Sequence, residues 1–331
     1  MNGGSADRAT TGAFLAIVLV GGLNGVGVRL SNAELDPFWG AALRFGLASL
    51  LMLGLVAIRR VPLPRGRALL GSVLYGLIGF AAAYALAYYA LVETPAGLAM
   101  VILGLVPLLT LLLAVAHRQE KLRAQALAGS LVALAGVAFI FWERLSAAAV
   151  PLLSLLAIVG AAFAIAETGV VVKGFPRAHP LANNAVAMGV GGLVLLALAL
   201  LAGEALIVPA QAETLAAVAY LVVIGSVALF MLFLYVIERW TASATSYSLL
   251  LMPLPAAVGG ALLLGEPITL GLILGGALIL VGVYLGAFAP SLSAPLAGLF
   301  SRRPAAETGT PAETGTATET MVPAGPQAPC P

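Results

Sequence analysis

The chain has 331 residues, 61% hydrophobic and 9% charged, with a formal net charge of +2 and a mean hydropathy of +1.08. Soluble domains carry about 25% charged residues, so this chain cannot clothe a water-facing surface and lipid must be its outer solvent. No long Lys/Arg run suits nucleic acid, and the single cysteine, Cys330, excludes an intrachain disulfide, a cysteine metal site and, second from the end, a prenylation box.

Arg8 precedes an apolar stretch from Gly12 to Leu30 that no small-residue cleavage site and soluble domain follow. It reads as a first span after a short N-terminal segment, residues 1–11, rather than as a leader. A spanning helix needs about 20 apolar residues. Apolar blocks between polar breaks give ten candidates, at 12–30, 37–58, 69–91, 96–116, 125–142, 151–172, 182–202, 214–237, 242–263 and 270–289. The Glu-Thr-Pro break at 93–95 is tight enough to demand a helical hairpin. The fold class is therefore all-α integral membrane with ten transmembrane helices.

Basic residues test that count, because cytoplasmic loops are the basic ones. With the N-terminus inside, 13 of the 16 Lys and Arg residues fall on the inner side, Arg59, Arg60, Arg65, Arg67, Arg118, Lys121 and Arg123 among them. Glu34, Asp36, Glu93, Glu143, Glu204, Glu213 and Glu266 fall outside. One span more or fewer would scramble the alternation. Both termini are thus expected in the cytoplasm, in the inner (plasma) membrane of the cell. Residues 290–331 are rich in Pro, Ala, Thr and Gly and repeat Ala-Glu-Thr-Gly-Thr at 306–310 and 312–316. They are expected to form a disordered cytoplasmic tail, since such a composition buries no core.

The spans repeat. Shifted by 146 residues, Gly79 falls on Gly225, Pro107 on Pro253, Glu120 on Glu266, Gly129 on Gly275 and Gly136 on Gly282. Upstream the register slips slightly, Arg29 resembling Lys173 and Pro37 resembling Pro180. The modules run over 12–142 and 151–289. An odd number of spans per copy inverts the second copy, and inverted repeats place a binding site near the midplane between the halves.

Thr241 to Gly286, with Ala-x-Ala-x-Ser, Pro253, Gly-Glu-Pro at 265–267, Gly275 and Gly282, resembles the last two spans of an EamA-type module of the drug/metabolite transporter superfamily. The first half keeps Pro107, Glu120, Gly129 and Gly136 but has Gln119 and Lys121 beside its glutamate. Gly-Gly-Leu-Asn-Gly at 21–25 and Arg44-Phe45 also fit. The resemblance, over 12–289, implies ten helices in two inverted modules and secondary transport of small metabolites, often export. It names no substrate.

Within the spans, Gly21 with Gly25 and Gly271 with Gly275 are small-xxx-small pairs suited to close helix packing. Pro107 and Pro253 lie mid-span and serve either as gating hinges or as plain kinks. Ionisable residues are the sharpest signals, since a centred charge costs about 2.5–3.5 kcal/mol on insertion scales. Glu167, in the sixth span, binds a substrate amine, exchanges a proton, or sits protonated or paired between helices. Arg44, in the second span, takes a substrate carboxylate or snorkels to pair with Asp36 or Glu34. Asn24 reaches a ligand or bridges helices. Tyr84 and Tyr88, four apart, share one face and either line a cavity or pack. Ser243, Thr245, Ser246, Tyr247 and Ser248 make the start of the ninth span polar, as a wet pathway would be.

Both histidines, His117 and His179, fall in inner loops, and no Walker loop, nucleophile elbow or zincin motif occurs. An enzyme and a chain with its own ATPase are disfavoured, and no cofactor is expected. The reading is a secondary carrier, monomer or homodimer, for a small metabolite such as an amino acid. Its site would use Asn24, Tyr84, Tyr88, Glu167 and Tyr247, with protons as the possible coupling ion. The alternative is a non-transporting scaffold or sensor.

Overall fold

The structure, a computed structural model, describes residues 8–91, 99, 102–140, 151–264 and 270–288. The tight break at 93–95, the Gly-Glu-Pro at 265–267, Glu266 and the tail from 290 lie outside the described residues. Residues up to Pro290 make one compact unit. Among the described residues every regular element is helical.

α1 spans Arg8–Ser31 and α2 spans Pro37–Ile58. α3 (Gly66–Tyr75) passes through a π-helical segment, Gly76–Ala82, into α4 (Ala83–Leu91). α5 (Val106–Ala116), α6 (Ala124–Ile140), α7 (Leu152–Gly174) and α8 (Pro180–Ala202) follow. α9 (Ala212–Val222) passes through a second π segment, Val223–Ala228, into α10 (Leu229–Arg239). α11 (Ala242–Leu251), α12 (Pro253–Leu264) and α13 (Leu270–Val283) complete the bundle, the last continuing into a π turn at Tyr284–Phe288.

Among the described residues six helical stretches are long and apolar enough to cross a bilayer: Arg8–Val28, Pro37–Ile58, Gly66–Ala90, Leu152–Gly174, Pro180–Ala202 and Ala212–Arg239. Val106–Ala116, Ala124–Phe139 and Ile273–Ala287 are apolar but shorter. Prolines mark the start of two of the shorter helices. α11 stops at Leu251 and a new helix begins at Pro253; α5 carries Pro107 in its first turn. There the missing N–H costs nothing, because a first-turn N–H has no helical partner anyway. These prolines therefore divide helices rather than bend continuous ones.

Packing exchanges elements between the two parts of the sequence. α1 packs on α9, α10, α11 and α12, whereas α7 packs on α3, α4, α5 and the first π segment. α6 lies against α13, and added Cβ atoms show how close the backbones come. A Cβ on Gly136 would meet Gly275 O at 2.6 Å, and one on Gly129 would meet Gly282 O at 2.6 Å. Shifting by 146 residues exchanges these two contacts. The glycines that repeat in sequence are thus those where two helix backbones touch. Among the expected small-residue pairs, Gly25 has open space beside it; its neighbour Gly22 makes the close approach, against Met252 O and Pro255.

Two connections that begin or end helices are stapled together. The Glu204 carboxylate accepts from Phe38 N (3.1 Å) and Trp39 N (2.7 Å), filling the open N–H groups of the α2 N-terminus. Asp36 accepts from Ala205 N (3.0 Å), and Glu34 from Ala210 N and Gln211 N (3.4 and 3.1 Å). Desolvation works to raise the Glu34 carboxyl, but the donors of the α9 N-terminus facing it, the Ala210 and Gln211 N–H groups among them, outweigh it and hold its pKa below the ordinary 4.5. α8 closes on Gly203, at φ +71°, a left-handed turn that suits glycine.

Candidate functional site

The second π segment organises the site. A π turn takes its carbonyls out of the regular i→i+4 ladder and leaves them free for other donors. Gly225 O accepts from Asn24 Nδ2 on α1 (3.1 Å) and from Arg44 Nη2 on α2 (2.7 Å). Arg44 Nε donates to Ser226 Oγ (2.7 Å), and its guanidinium stacks over Phe45, 5.0 Å from the ring centre. Glycine is required here, because a Cβ on Gly225 would fall on Asn24 Oδ1. Asn24, Arg44 and the π segment therefore form one unit drawn from three helices.

Arg44 is 4% exposed. Among the described residues Asp36 and Glu34, the partners a snorkelling Arg44 would take, instead accept from the backbone of the 203–211 connection. Among the described residues no carboxylate pairs with Arg44, and Nη1 has no hydrogen-bond partner. A buried guanidinium held only by neutral acceptors is expensive unless an anion completes it. Asn24 contributes the complement. Its Oδ1 is buried and accepts no hydrogen bond among the described residues.

Tyr84 and Tyr88 join the same region. Tyr84 lies edge-on to Phe45 at 4.8 Å, and the two tyrosine rings are 6.3 Å apart. Tyr88 lies within electrostatic reach of Arg44 and Glu204. Phe80 and Phe230 close the aromatic group, at 4.9 and 6.5 Å from Phe45. The structure thus brings Asn24, Arg44, Tyr84 and Tyr88 together. Sequence reasoning had not singled out Gly225 with Ser226 as the hub; a Ser directly after a repeated Gly was the available signal.

Glu167 and Tyr247 lie elsewhere. Glu167 Oε1 sits 3.4 Å from His117 Nε2, and Oε2 is buried without a partner among the described residues. His117 Nδ1 is 2.9 Å from Leu113 O, which can only accept, so Nδ1 carries a hydrogen and Nε2 faces the carboxylate. That contact is favourable only with a proton between the two groups. His117, passed over as a loop residue, is half exposed at the C-terminus of α5. Nearby, Gln119 donates to Val170 O (2.9 Å), and the Glu120 carboxylate accepts from Ser243 N (3.1 Å) and Ser243 Oγ at the start of α11. Tyr247 is fully buried and ties α11 to α6 through Ala126 O (2.9 Å) and Ser130 Oγ (2.8 Å), within a packed cluster with Phe14 and Ile17. The polar start of α11 is likewise satisfied internally: Thr241 caps the helix, and Thr245, Ser246 and Ser248 bond backward to its carbonyls.

A second contact mirrors the hub. A Cβ on Gly79, in the first π segment, would meet Thr168 of α7 at 2.8 Å, as one on Gly225 would meet Asn24 of α1. Asn24 and Thr168 are 144 residues apart, within the slipped register of the repeat.

The chain is 27% identical over 285 residues to a "Probable amino-acid metabolite efflux pump" of Escherichia coli (strain K12), covering 83% of this chain and 93% of that one. It is 26% identical over 271 residues to an "Uncharacterized transporter" of Archaeoglobus fulgidus, covering 80% and 93%. A protein of known crystal structure superposes with a TM-score of 0.72 at 22% identity, over 86% of this chain and 99% of that one, a likeness of fold. The EamA-like transporter family matches residues 10–142 and again residues 152–288, and with multiple apolar membrane helices around a buried polar hub the chain belongs to that family of membrane transporters.

Proposed function

We propose that this transporter exports a small zwitterionic metabolite of the amino-acid class by alternating access, from a site at the seam of two inverted five-helix modules. The observation that carries this reading is the shared carbonyl of Gly225. Two side chains from different helices converge on it, and each keeps one complementary group unspent. Arg44 Nη1 offers a donor for a carboxylate, and Asn24 Oδ1 an acceptor for an ammonium. Tyr84 and Tyr88 border the space where a side chain would lie. The printed description of the Escherichia coli relative favours the same substrate class.

The recurrence of element starts at a constant offset supports the inverted repeat. Gly66 and Ala212, and Ala83 and Leu229, each lie 146 residues apart. The mirrored Gly129–Gly282 and Gly136–Gly275 contacts support it further, as does the double family match. In this reading the chain has ten spans and both termini face the cytoplasm from the inner membrane. Pro107 and Pro253 are the points about which divided helices flex. Glu167, sharing a proton with His117, is the coupling group, and Tyr247 belongs to the scaffold.

Counterflow of labelled amino acids into proteoliposomes tests the proposal. Exchange of at least one α-amino acid is expected, lost when its carboxylate is amidated and lost in Arg44→Met. No uptake across the full panel, or full activity in Arg44→Met, overturns it. A scaffold or sensor would tolerate changes at both Arg44 and Asn24.

A further inference from the structure

A cavity of about 150 Å³ opens at the bundle end that carries the basic loops, beside the start of α3 and far from Tyr84 and Tyr88 on α4. Its walls come from α3, the end of α7, the α7–α8 connection, α8 and α10, and its polar groups are Ser72, Lys173, Arg177, Asn183 and Glu238. Ser72 is spent on Ala68 O (3.0 Å). Arg177 makes one long contact, 3.4 Å, to the backbone oxygen of Glu238. Among the described residues neither cation is ion-paired with the Glu238 carboxylate, and neither Lys173 nor the Asn183 amide has a hydrogen-bond partner. The lining therefore presents two cations and an amide against one carboxylate, with the Glu120 carboxylate also within electrostatic reach of Lys173. Leu234 and Ile237, which also line it, belong to the same apolar cluster as Phe45, Tyr84 and Tyr88.

Two further groups lie just inside. Tyr75 is one turn beyond Ser72 on α3, and Asn184 follows Asn183 on α8. Both are essentially unexposed. The Tyr75 hydroxyl and both polar atoms of Asn184 have no partner among the described residues. Leaving a buried polar group unmade costs about 1–3 kcal/mol, so each such group calls for an explanation. From Tyr75 a file of ring contacts runs to the hub: Tyr75–Phe80 at 5.0 Å, Phe80–Phe45 at 4.9 Å, and Phe45 beneath the Arg44 guanidinium. Helix packing seals the file at present. A Cβ on Gly76 would meet Ala187 O at 2.5 Å.

We propose that this cavity is a loading subsite for the carboxylate end of the substrate, built by Lys173, Arg177 and Asn183. Tyr75 and Asn184 then line the closed passage from it to Arg44, and their unmade hydrogen bonds are those a passing zwitterion would complete, its carboxylate accepting and its ammonium donating. The proposal rests on the transport reading above and adds the route by which substrate reaches Arg44. Glu238 supplies the counter-charge that keeps the subsite weak enough to release its ligand inward.

Two measurements test it. In a Cys330→Ser background, Asn183→Cys is labelled with an anionic sulfonate and with a cationic trimethylammonium methanethiosulfonate, each rate normalised to free cysteine. The anionic reagent should react several-fold faster, and Lys173→Gln with Arg177→Gln should erase the preference. Equal rates, or faster cationic labelling, overturn the subsite. In proteoliposomes, Tyr75→Phe and Asn184→Leu should slow amino-acid efflux at least tenfold while the thermal unfolding midpoint stays level or rises. A lowered midpoint with unchanged efflux makes them structural and overturns the passage. Anionic preference at Asn183→Cys, when the wild-type protein moves no amino acid, would leave the anion subsite standing and sink the amino-acid reading alone.

Discussion

Gly225→Ala is the sharpest perturbation of the hub. The new Cβ would lie on Asn24 Oδ1, 3.1 Å from its Cγ and 3.3 Å from its Nδ2. The amide must swing away, and the 3.1 Å bond to Gly225 O goes with it. Overpacking costs about 1–3 kcal/mol and the lost hydrogen bond about 0.5–1.5 kcal/mol. The sum lowers the thermal unfolding midpoint of the detergent-solubilised protein by a few degrees. Gly25→Ala is the control, since nothing lies within 4 Å of its Cβ position. Asn24→Ala combined with Gly225→Ala removes the obstructing amide, so the double variant should regain on the order of 1 kcal/mol relative to additivity. Transport should fall in both the single and the double variant, because Asn24 Oδ1 is displaced in one and absent in the other. Equal midpoints for Gly225→Ala and Gly25→Ala, or no recovery in the double variant, would refute the reasoning.

Other expectations follow from the same geometry. Arg44→Met should reduce exchange about ten- to a hundredfold, the worth of a charged hydrogen bond, while leaving the unfolding midpoint unchanged or higher; a large loss of stability would mean that Arg44 is structural. Glu167→Gln keeps the shape of the His117 contact but cannot exchange a proton, so efflux measured between about pH 5 and 8 should lose its pH dependence, and an unaltered profile removes Glu167 from coupling. Tyr247→Phe breaks two bonds, to Ala126 O and Ser130 Oγ, and should cost about 1–3 kcal/mol with an unchanged KM; a raised KM at full stability would return Tyr247 to the pathway. Glu34 has a folded pKa below 4.5, so its contribution is present at neutral pH and is lost as pH falls through that lowered value. Glu34→Gln should therefore be less stable than the parent at pH 7, and the gap in unfolding midpoint should close in acid.

Composition alone determined that this chain lives in lipid, because 9% charged residues cannot cover a soluble surface. Repeated glycines and prolines at one offset were also legible, because backbone contact and helix division tolerate few other residues. Gly129, Gly136, Gly275 and Gly282 sit where α6 meets α13, and Pro107 and Pro253 begin helices. Polar residues in apolar spans were visible as candidates, yet their roles were not. Asn24, Arg44, Tyr84 and Tyr88 come from three separate helices, and only tertiary packing brings them around one π-helical carbonyl. The same packing turns Asp36 and Glu34 to a distant connection, leaving Arg44 without a carboxylate among the described residues. It pairs Glu167 with a histidine fifty positions away in the chain, and it consumes Tyr247 in a helix contact. A π segment leaves no strong mark in sequence, since it differs from an α-helix by one residue per turn. What a polar side chain does in a membrane depends on which partner is left over when every helix has packed, and that is a property of the assembled bundle.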